Sequence, residues 1–376
     1  MIRSGIKAGH KFSVEQLSIA LGFECLYSIV NGNHTCIGYQ CLRGCIQGDE
    51  NTCIGYKCLR DTEIVYSTCV VGHENALNMK SCRDSTILGV KCLHKAKESE
   101  QDTVFGNQCL YNVFKSIQNT VYGYEILHDS LEPCQYNSLF GYQVCYKSCK
   151  KLERVCGFGY KVLYHNQQDE NCAFGYKSMH HNTTGSYNTS QGTESLYSNT
   201  NGHFNTSMGY HSCHHVCGDH NTGMGYKVMS ATLNQTMCCS GFGSQCMEQN
   251  LGNHNTATGF QSMKENTLGQ NNTSYGSESL KNNNIGSDNV AVGHLSGQGN
   301  KIGSGNTFIG QSTHVSENSI DPIHYSICIG KGAQVKKTGE LSIGSKDAPI
   351  TINQDHHQLE ITINDQCYYI QLIPRY

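Results

Sequence analysis

The segments TCIGYQCL (35–42), TCIGYKCL (52–59), TILGVKCL (86–93), TVFGNQCL (103–110) and TVYGYEIL (120–127) decide the fold, because aligning them places one glycine beneath another. Followed outward, that anchor recurs as Gly22, Gly38, Gly55, Gly72, Gly89, Gly106, Gly123, Gly141, Gly159, Gly175, Gly192, Gly209, Gly225, Gly243, Gly259, Gly276, Gly293, Gly310, Gly330 and Gly344. The spacing is 16 to 18 residues until the last two steps, which are 20 and 14. Chance does not hold a period across twenty anchors. A unit of this length cannot bury its own apolar positions and does so by stacking on its neighbours, so the period predicts a solenoid. The expected fold is all-β: a parallel β-solenoid of about 20 coils of about 17 residues, a rod about 95 Å long at the spacing of a β-ladder.

Each coil reads as two halves. A second glycine lies seven residues before the anchor in many coils, as Gly48, Gly185, Gly202, Gly218, Gly252, Gly269, Gly286 and Gly303, which suggests two short strands, each ended by glycine, in a flattened roll. Position −1 to the anchor is large and apolar (Ile37, Ile54, Leu88, Phe105, Phe140, Phe158, Phe174), as is position +4 (Leu42, Leu59, Leu93, Leu110, Leu127, Leu163). Both columns are expected in the interior, with a bend at the glycine returning each inward. Position +3 is small, first Cys25, Cys41, Cys58, Cys92 and Cys109, later Ser178, Ser195, Ser212 and Ser262. These cysteines read as compact, reduced core residues, since parallel Cβ vectors in register suit a disulfide poorly.

Position +1 carries Tyr39, Tyr56, Tyr124, Tyr142, Tyr160, Tyr176, Tyr210 and Tyr226, an aromatic ladder that serves packing between coils or protomers, or else grips a ligand. Thr recurs at −3 (Thr35, Thr52, Thr86, Thr103, Thr120) after a turn. There it reads as a capping hydroxyl and not as an ice-matching rank, which would need Thr-x-Thr.

Composition agrees with a narrow, turn-rich rod: 40 Gly, 4 Pro, no Trp, 37% hydrophobic and 15% charged residues. A net charge of −3 with no dense Lys/Arg run predicts neither nucleic acid nor an anionic membrane as partner, and no stretch has the apolar length of a membrane span. Residues 1–26 lack the unbroken apolar core of a secretory leader, so no export signal is expected. Twenty-two cysteines follow the repeat and not a short disulfide scaffold or a C-x-x-C framework.

The densest set of metal-ligating side chains is His211, Cys213, His214, His215, Cys217 and His220. A solenoid coil spreads consecutive residues along its perimeter, so the set reads as a His-rich outer turn and no metal or cofactor is expected. Cys238-Cys239, His180-His181 and His356-His357 have no partner placed by a motif. Ile54-Gly55-Tyr56-Lys57-Cys58-Leu59 fits one acyltransferase-type hexapeptide. Such a helix needs three per turn, so no catalytic residues are assigned and the chain is not expected to be an enzyme. The sequons at Asn33, Asn182, Asn188, Asn205, Asn234, Asn271 and Asn272 arise from the repeat itself.

The string Asn-Thr-x-x-Gly-Tyr-x-x-Leu, with Asn-Thr-x-Gly seven residues earlier, resembles the head repeats of trimeric autotransporter adhesins and related phage and giant-virus fibre repeats over residues 18–344. The resemblance implies a left-handed β-roll, a homotrimer, and a structural or adhesive fibre on a virion or similar surface that contacts a host receptor or glycan. The alternative is a non-catalytic internal scaffold. Residues 1–17 are expected to cap one end, and the alternating stretches of 345–376 (Ile350–Asn353, Leu359–Asn364, Tyr368–Ile373) to form a C-terminal cap that sets the oligomer.

Overall fold

The computed structural model describes residues 2–9, 17–28, 32–130, 132–148, 150–231, 236–317, 321–345, 358–363 and 366–371. Asn234, His356-His357 and most of the expected C-terminal cap lie outside them. The fold is the expected parallel β-solenoid, about 19 turns of about 17 residues, with no helix among the described residues.

One sheet of 21 strands runs the length of the rod, each strand paired in parallel with the equivalent strand of the next coil. The register keeps anchor on anchor: Gly106 pairs with Gly89 on one side and Gly123 on the other. Ile2–Ser4 already pairs with Ile19–Phe23, so the repeat register extends upstream of residue 18. At the other end, Gln358–Ile363 and Gln366–Gln371 form an antiparallel hairpin.

The anchor must be glycine. Gly106 has φ +141°, and a Cβ there would sit 1.8 Å from the carbonyl oxygen of Gly123 in the next coil. The same approach of backbone to backbone recurs up the stack, so one side chain would wedge two coils apart. Beyond the glycine the chain turns through left-handed residues at +2 and +4, such as Lys57 and Leu59 at φ 54° and 52°. A non-glycine residue is disfavoured there. Leu59 is fully buried, and burying its side chain offsets that strain by about 2 kcal/mol.

The interior differs from expectation in one column. Position +4 is buried in Leu42, Leu59, Leu93, Leu110, Leu127 and Leu163, but position −1 faces outward: Ile37, Leu88 and Phe174 are 37–41% exposed. Strict alternation holds up to the glycine, so the inward residue is −2: Cys36, Cys53, Val70, Ile87, Val104, Val121, Leu139 and Ala173. The core between −2, +3 and +4 is narrow, and the small residues fill it. Thr at −3 also lies within the strand on the outward side, not in a turn, as Thr103–Asn107 shows with an exposed first residue.

The second half of the coil also departs from a uniform two-strand roll. A seven-stranded parallel sheet covers only the N-terminal half, from Gln47–Asp49 to Leu152–Glu153. There the residue at −7 is mostly a buried Val65, Cys82, Ser99, Ser116, Cys134 or Leu152. At Gly185, Gly202, Gly269, Gly286 and Gly303, where glycine takes that place beyond the short sheet, two buried asparagines replace the strand. Asn188 Nδ2 (position −4) donates to Gly202 O of the next coil at 2.9 Å, and Asn199 Nδ2 (position +7 of the preceding anchor) donates to the same oxygen at 2.9 Å. The pattern repeats at Gly185, Gly269, Gly286 and Gly303. A Cβ on Gly202 would meet Asn199 Oδ1 at 2.5 Å, which explains the second glycine: it makes room for the asparagines.

Candidate functional site

The outward side of the long sheet presents three parallel columns, Thr at −3, large apolar residues at −1 and aromatics at +1. The eight tyrosines read from the sequence all lie on it, 36–46% exposed, but not as one continuous stack. Tyr39 and Tyr56 stack between Phe23 and His73 with ring centroids 4.8–5.1 Å apart. Tyr124, Tyr142, Tyr160 and Tyr176 form a second stack at 5.0–5.3 Å, and Tyr210 and Tyr226 a third at 5.5 Å. Val90 and Asn107 interrupt the first gap and Thr193 the second. Lys57, Lys161, Lys177 and Lys227 at +2 each lie over the tyrosine that precedes them, 4.7–5.5 Å from the ring centre, a cation–π contact that fixes the edge of the stack. Phe105, Tyr122, Phe140, Phe158 and Phe174 stack beside them at 4.6–6.0 Å.

A second ring ladder runs along the next edge of the rod at position +5: His94, Tyr111, His128, Tyr146, Tyr164, His180, Tyr197 and His214, with successive centroids 4.9–5.4 Å apart. Sequence reading by residue type missed it because histidine and tyrosine alternate; reading by position finds every member five residues after an anchor. Burial is the main cause that drives the His180 imidazole down to about 3 and His214 to about 4, with repulsion from neighbouring histidines adding to it. His180 Nδ1 is buried and finds no hydrogen-bond partner among the described residues.

Three of the six clustered His and Cys residues leave the group on folding, while His215 stays edge-on to His214 at 4.3 Å. Cys213 enters the buried +4 column, where burial pushes its thiol up to about 11. Cys217 turns its thiol toward Ser198 O at 3.3 Å, and His220 stacks on Phe204 in yet another column. His211 and His214 stay together, and Glu194 of the preceding coil joins them. His211 Nε2 lies 2.9 Å and His214 Nε2 3.3 Å from the same oxygen, Glu194 Oε2. His165, His180 and His181 make a comparable trio two coils earlier.

The described cysteines are free thiols. Cys41, Cys53 and Cys58 converge in the core, yet Cys41 and Cys58 make the contact that Cys92 and Cys109 make elsewhere, donating to the anchor carbonyl of the next coil at 3.2–3.3 Å. Their shared geometry is that of packing. Cys239 takes a place in the asparagine column and accepts from Asn255 N at 3.4 Å, while Cys238 beside it is exposed. Four sequon asparagines, Asn182, Asn188, Asn205 and Asn272, are fully buried in those columns and closed to glycan transfer once the coil forms; Asn33 and Asn271 are exposed.

Among the described residues no helix is long and apolar enough to cross a membrane. A scan against protein-family models finds no match to this chain, and a search of curated proteins finds no similar sequence.

Proposed function

We propose that this chain is a non-catalytic structural rod that packs against copies of itself, as a homotrimer, through the outward face of its long sheet. The observation that carries this reading is the pair of apolar columns at −1 and +1. Leu88, Tyr122, Phe174, Met208, Phe242 and Ile309 at −1 are 37–52% exposed, beside the tyrosines at +1. Along a rod of about 19 turns they add up to an apolar strip far beyond the few hundred Å² that a lone chain ordinarily leaves in water. A strip that follows the repeat is met in register by the same strip on a second copy, which makes a symmetric assembly the natural occupant. The polar groups of the interior are engaged in holding coil to coil, as the asparagine columns are, and this suits a building element.

The resemblance of the repeat to trimeric adhesin heads and viral fibre repeats is what supports a left-handed roll, three copies and a proposed position on a virion or similar surface. Receptor or glycan contact then falls to the faces of the rod turned away from that strip. The rival is an internal scaffold built on the same rod.

Light-scattering mass of the whole chain, compared with the variant Phe140→Lys/Tyr142→Lys/Phe158→Lys/Tyr160→Lys, tests the self-association. All four side chains point away from the core, so the coil itself is expected to survive, with an unchanged circular dichroism spectrum. A trimer that the variant reduces to monomers supports the reading; a wild-type monomer at tens of micromolar, or a trimer indifferent to the lysines, overturns it. Truncation after residue 344 asks whether the C-terminal segment sets the number of chains.

A further inference from the structure

We propose that Glu194, His211 and His214 form a binding site for a divalent transition ion of the zinc class. Three ligand atoms from two adjacent coils converge there within 4.8 Å of one another. Tetrahedral zinc with bonds near 2.1 Å keeps its ligand atoms about 3.4 Å apart. The separations from Glu194 Oε2 to His211 Nε2 and His214 Nε2, 2.9 and 3.3 Å, are already close to two edges of that tetrahedron. Two imidazoles and one carboxylate form a donor set suited to a borderline divalent ion, and the carboxylate supplies the negative charge that a set of histidines alone lacks.

The coil holds these groups in place before any ion arrives. Glu194 and His211 occupy the same +2 position one coil apart, both left-handed (φ 51° and 50°). Their backbones are tied by Glu194 N donating to Tyr176 O at 2.9 Å and His211 N to Thr193 O at 3.0 Å. Tyr210 lies flat on the His211 ring, 4.1 Å centre to centre, and Tyr197 on His214 at 5.0 Å, so neither imidazole is free to swing away. Glu194, His211 and His214 retain 23%, 27% and 13% of their side-chain exposure, enough for entry from solvent and for a water in the fourth position. The trio His165, His180 and His181 is the weaker candidate. It has no carboxylate, and Lys161 and Lys177 add positive charge beside His180.

The test is zinc retained after dialysis by the whole chain, with X-ray absorption at the zinc edge. One equivalent per chain is expected, with a first shell of nitrogen and oxygen only and two imidazoles. Glu194→Gln and His211→Ala are each expected to weaken binding at least tenfold, while His181→Ala leaves it unchanged. Zinc is also expected to raise the melting temperature of the wild type and not of Glu194→Gln. No retained zinc, sulfur in the first shell, or binding lost in His181→Ala and kept in Glu194→Gln would each overturn the assignment. The absorption spectrum of the wild type decides the ligand set even if a variant fails to fold.

Discussion

At residue scale the position in the coil, not the residue type, decides what a side chain does, and Asp102 shows this most clearly. It stands in the −4 column that asparagine holds in most other coils. There its Oδ1 accepts from Asn119 N at 2.9 Å and Asn119 Nδ2 at 3.1 Å, and its Oδ2 accepts from Ser99 Oγ at 2.6 Å. Burial is the dominant influence and raises its carboxyl from 3.8 to about 6, against the lowering effect of those hydrogen bonds. A folded-state value above the unfolded one means that folding favours the protonated form. The associated stability is complete below about pH 4 and is lost as the pH rises through 6. Above that the buried charge costs at most about 3 kcal/mol. Asp102→Asn is therefore expected to stabilise the rod at pH 8 and to change little at pH 4, read from urea midpoints at the two pH values. A loss of stability of equal size at both would show that the column needs a carboxylate there.

At element scale, two asparagine columns replace a strand. Each asparagine couples three coils: Asn188 takes a hydrogen bond from Asn205 N at 2.9 Å, gives one to Gly202 O at 2.9 Å, and sends its own backbone N–H to Asn171 Oδ1 at 3.0 Å. Removing the amide leaves the buried Asn205 N–H without its acceptor, at a cost of about 1–3 kcal/mol, and strips Gly202 O of one of its two donors, worth about 1 kcal/mol more. Asn188→Ala is expected to lose about 2–4 kcal/mol of stability by urea unfolding, whereas Asn201→Ala on the exposed turn should stay within about 0.5 kcal/mol. Equal effects would remove the columns from the account of stability. The repeat, its parallel stacking, the buried Leu and Cys columns and the tyrosine face were all legible in the sequence, because one glycine fixes them at constant offset. Other features were not. Large apolar residues at −1 were assigned to the core by size, although strict alternation turns them outward and puts the −2 residue inside instead. Asn-Thr-x-Gly was read as a strand end because an asparagine that satisfies buried carbonyls has the same local sequence as one that caps a turn. The Glu194–His211–His214 group was hidden for a related reason: Glu194 lies 17 and 20 residues before the two histidines, and only the register of successive coils brings it to them.

At the scale of the whole molecule, what holds the rod together is nearest-neighbour contact. Leu110 N donates to Ile126 O, Thr103 N to Asn119 O and Gln118 N to Glu100 O, each one coil away, and the side-chain columns add bonds of the same reach. Stability in such an array is close to a sum of coil terms and interface terms, so one coil is expendable provided its neighbours meet in register. Excising residues 103–119 joins Asp102 directly to Thr120, the residue already paired with Thr103. It brings Gly89 onto Gly123, Ile87 onto Val121 and Leu93 onto Leu127, each pair matching in its place in the coil. The shortened chain is expected to fold with a melting temperature within about 5 °C of the full one. Deleting residues 103–110 removes about half a coil, puts Gly123 out of line with Gly89 and leaves buried columns facing polar ones. That chain is expected to lose cooperative unfolding around the break and to expose apolar surface to dye. Thermal unfolding of the two deletions side by side separates the cases. If the whole-coil excision is as damaging as the half-coil one, the rod depends on contacts that reach beyond adjacent coils, and the additive picture fails.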